Sequence, residues 1–193
     1  MNPLYSLRNL FKKSTQVPPD GQQWLEGVHA FEKGKIHFRD KDQQKALDCF
    51  DRAIKSGYEV EGVYGLRAIC LQELHFELDA IDDFNKAISL APEEANLYFM
   101  RSLSRSATGD YTGCISDLQE AIRLSIIDNK YNDFWNNYAK ETGWTSATAH
   151  YEMDLMSAQQ FRKHDEKVKE LEEKHPELGI RRTKKDSTRW RRV

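Results

Sequence analysis

A 34-residue period constrains this chain more than any other feature. Ala46, Ala80 and Cys114 recur at that shift, as do Phe50, Phe84 and Leu118, and then Ala53, Ala87 and Ala121. Upstream, Gly34, Ala68 and Ser102 keep the spacing and are again small. The strings KALDCFDRAI, DAIDDFNKAI and GCISDLQEAI stand in strict register. A single i, i+4, i+7 triplet is an ordinary helix face. Three copies in register mark a supersecondary unit that buries its apolar face only against its own neighbours.

Little else in the chain competes with that reading. Only 10 Gly and 5 Pro occur in 193 residues, too few for a sandwich or barrel that turns every 8–12 residues or so. Mean hydropathy is -0.77, yet 11% of residues are aromatic, so the chain has enough apolar matter to order itself. No apolar run approaches the roughly 18 residues that cross a bilayer. Cys49, Cys70 and Cys114 have no zinc-ligand spacing and fall inside helical patterns. They read as reduced, packed thiols of a cytoplasmic protein. The first 13 residues lack the apolar core and cleavage site of a secretory signal.

The repeats resemble the tetratricopeptide repeat family, with units at 27–60, 61–94 and 95–128. Gly34, Ala68 and Ser102 fall where the first helix of a unit approaches its neighbour, and Ala46, Ala80 and Cys114 where the second helix crosses it. Gly109-Asp110-Tyr111 matches the family's inter-helix turn, and Pro92 ends the second unit in the family's way. The resemblance implies an all-α protein, a right-handed α-solenoid of three helix pairs with C-terminal capping helices. Arg67 and Arg101 stand where leucine is more common, followed by Asp83 and Asp117. The expectation is that Arg101 pairs with Asp83 across a unit boundary and that Arg67 finds another partner.

The organisation expected is a basic segment and linker over 1–21, repeats over 22–128, a helical cap and charged extension over 129–180, and a basic tail over 181–193. Residues 131–142 suit a capping helix, with Phe134, Trp135 and Tyr138 on one face. A further helix starts near Thr145 or Ser146 and carries Tyr151, Leu155, Ala158 and Phe161 on an apolar stripe. Beyond Arg162 it is nearly all charge, until Pro176.

Catalysis has no motif here. The chain contains no Gly-rich phosphate loop, no HExxH and no GxSxG, and its six histidines are scattered. No cofactor, metal site or enzymatic activity is expected. In the resembled family the first helices line a concave groove for peptides or helices. Carried over, the candidates are Phe31, Lys35, Phe38 and Arg39, then Leu66, Ile69, Gln72 and Glu73, then Asn96, Phe99, Met100, Leu103 and Ser106. Phe31, Leu66 and Met100 occupy slots where carboxylate-clamp members carry polar residues, which disfavours a chaperone tail as ligand. The same apolar side chains are equally read as core, or as a groove filled by the chain itself. The filler would be the helix around 151–161 or residues 4–11, where Leu4, Leu7 and Phe11 share a side.

The net charge of -2 conceals an asymmetry. Residues 181–193 carry seven Lys/Arg against Asp186 alone, +6, which leaves -8 for the rest. Residues 1–13 add three cations and no acid, so 14–180 carry -11. The tail residues Arg181, Arg182, Lys184, Lys185, Arg189, Trp190, Arg191 and Arg192 suit a nucleic acid, an anionic surface, a protein partner, or no partner at all. Two functions follow: a non-enzymatic adaptor binding a peptide or helix in the groove, or a structural subunit of a larger assembly anchored by its tail.

Overall fold

In the computed structural model, residues 21–127, 140–141, 143 and 146–176 are described. They hold seven helices: α1 (Gly21–Arg39), α2 (Gln43–Lys55), α3 (Glu61–Glu73), α4 (Glu77–Leu90), α5 (Ala95–Thr108), α6 (Tyr111–Ile127) and α7 (Ala147–Lys174). No strand occurs among the described residues. Of the expected helix over 131–142, only residues 140–141 are described, and both are helical; the N-terminal residues 1–20 and the basic tail lie outside the described residues.

The period of the sequence becomes a period of backbone geometry. Each of the first three hairpins turns through one left-handed residue: Lys41 (φ 61°), His75 (φ 67°) and Gly109 (φ 83°), spaced 34 apart. Each turn closes with the same two hydrogen bonds. The N–H groups of Asp42, Phe76 and Asp110 donate to the carbonyls of His37, Leu71 and Arg105 at 2.8–2.9 Å. Those of Lys41, His75 and Gly109 donate to Phe38, Gln72 and Ser106 at 3.0–3.1 Å. This is the paired closure that satisfies the last carbonyls of a helix. Two of the following helices are capped by a side chain, Asp42 accepting from the Lys45 N–H and Asp110 from the Gly113 N–H. Phe76, at the third such position, cannot cap.

The described residues divide into two compact units that part within α5, between Met100 and Arg101. In the first, Phe31, Ala46, Phe50, Ala53, Val63, Leu66 and Cys70 form one core cluster and Ala68, Ala80 and Phe84 another, with Ile69 touching both. Gly34 is the close approach that joins α1 to α2. A Cβ there would stand 2.5 Å from the Phe50 ring, so no larger residue fits. In the second unit, Cys114, Leu118 and Ala121 are buried on α6. Every position of the sequence register, from Gly34 to Ala121, is buried.

Helix α7 packs on α6 and runs antiparallel to it. Ser125 meets Thr148 at 3.0 Å, and the rings of Tyr111 and Phe161 lie 6.0 Å apart at the other end. Ser146 caps α7 through the Ala149 N–H at 3.0 Å. Tyr151 and Ala158 are the buried face. The apolar stripe around 151–161, one of the two segments offered as a filler of the groove, packs on α6 through Tyr151 and Ala158.

Candidate protein-binding face

The first helices of successive pairs are α1, α3 and α5. Residues 34 apart on them occupy equivalent positions, so Val28, Gly62 and Asn96 form one row, and Phe31, Gly65 and Phe99 the next. Lys35 and Ile69 follow, then Phe38 and Gln72, nearest the hairpin turns. Helix α3 is held to α5 by the Gln72 side-chain amide, which donates to the Met100 carbonyl at 2.9 Å. Leu97 lies 3.4 Å from where a Gly65 Cβ would be.

The sequence-derived candidates separate by depth. Phe31 and Leu66 are 3% and 2% exposed and belong to the core cluster of the first hairpin. The Phe31 ring packs on Phe50 and Tyr58 at centroid distances of 5.9 and 5.5 Å. These two side chains support the face from beneath. Leu66 turns inward because its position, like that of Val63, faces the preceding hairpin and not the groove row. Phe38, Ile69, Phe99 and Met100 are half-buried. Leu103, in the second compact unit, is exposed. Lys35 is half-buried, bonded to Glu32 at 2.6 Å, with its ammonium 5.0 Å from the Phe31 ring centre. Arg39 is exposed, 3.7 Å from Asp40.

Sequence reasoning missed Gly62 and Gly65. Their signal was glycine inside a helix, which costs about 1 kcal/mol per residue relative to alanine. It also mispaired the arginines. Arg67 donates to both oxygens of Asp83 at 2.6 and 2.7 Å and reaches Asp51 at 2.7 Å. Arg101 grips Asp117 in the same bidentate way at 2.6 and 2.9 Å, and Arg105 adds a contact at 3.0 Å. Each pair spans 16 residues within one hairpin, because antiparallel helices bring those positions together. The first hairpin has Lys33 and Cys49 there, so it lacks both partners at once. The guanidinium of Arg67 is held charged by Asp83. Burial pushes the Asp83 carboxyl up from its ordinary value, against the pull of Arg67.

Burial pushes the thiols of Cys70 and Cys114 up to about 12. Burial, then the hydrogen bond to Glu59, pushes the Tyr64 hydroxyl up to about 12. Among the described residues, no group of His, Cys, Asp and Glu is arranged to hold a metal. None of the described helices is long and apolar enough to cross a membrane.

No family model matches the chain. Over 61 residues it is 39% identical to tetratricopeptide repeat protein 36 of Mus musculus, a stretch covering 32% of this chain and 31% of that protein. The chain spans less than half the length of the curated relatives it matches. Among solved structures, the TPR2B domain of yeast Sti1 in its complex with an Hsp70 peptide is similar. The TM-score is 0.57 and the identity 24%, over 70% of this chain and 98% of that one. PcrH, in complex with the chaperone-binding region of PopD, matches with a TM-score of 0.59 and 12% identity, over 70% and 92%.

Proposed function

The chain is a tetratricopeptide-repeat protein, and on that premise we propose that it is a non-enzymatic adaptor that holds a peptide or helix against the face of its first helices. The observation that carries this reading is the half-exposed apolar strip of Phe38, Ile69 and Phe99. Core residues are sealed and surface residues are polar; these are neither. The Sti1 domain and PcrH are each solved with a peptide or a region of another protein bound, which supports a ligand of that kind. The clamp positions Phe31, Leu66 and Met100 carry no polar side chain, so apolar side chains of the ligand would supply the affinity, in the helix-in-groove manner. Three buried, unlinked thiols favour the cytoplasm as its workplace.

The test is Phe99→Ala combined with Leu103→Ala in the full chain, with partners identified after affinity purification from native cells. A specific partner should be lost while the circular dichroism spectrum and melting temperature stay close to wild type. Retention of every partner by the double variant would sink the reading.

A further inference from the structure

The three hairpin turns have one geometry, so a residue type found at only one of them is not there to close the turn. The residue before each second helix, and the second residue within it, are Asp42 and Gln44 in the first hairpin and Asp110 and Thr112 in the third. In the second hairpin they are Phe76 and Leu78, which are 53% and 70% exposed. No large apolar side chain among the described residues is more exposed than Leu78. Phe76 forfeits the cap that Asp42 and Asp110 supply. Beside it, His75 holds a φ of 67° that glycine adopts freely. Half-buried Leu74 and Ile81 stand on either side of the pair in sequence. Local rules broken together, with no gain to the fold, point to an interaction. The charge around this turn is one-sided. Between Arg67 and Lys86 the chain has five acids and no lysine or arginine. Arg67 takes Asp83. Glu73, Asp79 and Asp82 are exposed, and none has an ion-pair partner among the described residues.

We propose that the turn joining α3 to α4 is a second docking surface, which takes a basic amphipathic helix of another protein with Phe76 and Leu78 as its apolar anchors. Charge complementarity selects this partner. Nucleic acids and anionic bilayers are polyanions, and an acidic rim repels them. A wholly apolar partner would cover the anchors but strip water from carboxylates that it could not pair. A helix with an apolar stripe bordered by lysine or arginine does both jobs. Its stripe covers Phe76 and Leu78, and its cations meet Glu73, Asp79 and Asp82. Affinity then comes from the apolar centre, while the rim charges steer the encounter and fix orientation. The surface uses none of the side chains in the first-helix rows, so it stands whether or not that face binds a ligand.

The probe is a fluorescein-labelled peptide, LKKLLKLLKKLLKL, whose leucines share one helical face and whose lysines share the other. Titrated with the full-length protein, it should bind with a micromolar dissociation constant and shift amide resonances of residues 73–82. Salt should weaken the binding severalfold, and replacing every leucine of the peptide with glutamine should weaken it about tenfold or more. Phe76→Asp with Leu78→Thr gives the second hairpin the residues of the third. That variant should bind about tenfold more weakly or worse, yet melt about 2–4 °C higher because the cap is restored. The direction is diagnostic, since the variant is more acidic and attraction by charge alone would grow. Unchanged or tighter binding by the variant would overturn the proposal. So would a lower melting temperature, which would make the two side chains part of the fold, or resonance shifts confined to the first-helix rows. A dimer that sedimentation detects in the wild type and not in the variant would make a second copy the occupant, and would overturn it too. The same holds if Arg191→Glu with Arg192→Glu moves the amides of residues 73–82 with no peptide present, since the chain's own tail would then be the occupant. The peptide assay needs no natural partner and leaves Phe99 and Leu103 intact, so its failure is separate from failure of the capture test.

Discussion

Asp83 is buried with its two oxygens held by one guanidinium, so its energetics turn on Arg67. Arg67→Ala would leave a carboxylate sealed against the core, at a cost of about 3 kcal/mol. Pairing Arg67→Met with Asp83→Leu should restore most of that stability, because the desolvated charge is gone. Urea melts of the two variants check this, and equal losses in both would mean the pair itself is stabilising. The thiols make a different prediction. With Cys70 and Cys114 pushed up to about 12 by burial, only about one thiol in ten thousand is ionised at pH 8. Alkylation of the native protein should therefore be slow and should wait on unfolding. The sign for stability follows from the raised values: above the unfolded thiol's pKa of about 8.5, the unfolded state loses protons that the folded state keeps. Stability should fall as pH climbs from about 8.5 towards 12, by up to ~1.4 kcal/mol per unit for each thiol. Replacing both cysteines with alanine should flatten that slope.

At the scale of the element, the recurring turn is the unit of construction, and two of its three copies are strained. Lys41 and His75 hold the left-handed conformation that Gly109 adopts freely. A side-chain-bearing residue there costs about 1–2 kcal/mol, while glycine loses about 0.5–1 kcal/mol in the unfolded chain. Lys41→Gly and His75→Gly should each raise stability by about 0.5–1 kcal/mol, measured as a rise in the urea midpoint at unchanged slope. A loss would mean that these side chains make contacts worth more than the strain. These turns also show where sequence was legible. The register of Ala46, Phe50 and Ala53 announced helix pairing because small and large residues must alternate where helices cross. The turn was visible only at Gly109, since nothing about lysine or histidine advertises a positive φ. Leu66 and Ile69 are one helical turn apart and equally apolar, so periodicity could not separate the core residue from the half-exposed one. That distinction depends on which hairpin lies on each side of α3. The pairing of Arg101 failed for a related reason: a 16-residue contact inside a hairpin and an 18-residue contact between hairpins look alike until the helices are placed.

Across the whole molecule, stability in a repeat array is close to a sum of local terms and nearest-neighbour contacts. The two compact units give that idea a test. Tyr151 is 3% exposed on the face by which α7 meets α6, and its loss should act there first. Tyr151→Ala should cost about 3–5 kcal/mol, as large aromatic truncations in cores do. Met156→Ser, at a position 57% exposed on the same helix, should cost less than about 0.5 kcal/mol. Hydrogen exchange resolves where the damage goes. If terms are local, amides of α6 and α7 should lose protection in the Tyr151 variant and bind an apolar dye. Amides of α2, α3 and α4, whose core is built from Phe50, Val63, Leu66 and Phe84, should keep theirs. An equal loss of protection in α2–α4 would mean that the chain unfolds as one cooperative body, and that α7 stabilises every helix pair and not only the one it covers.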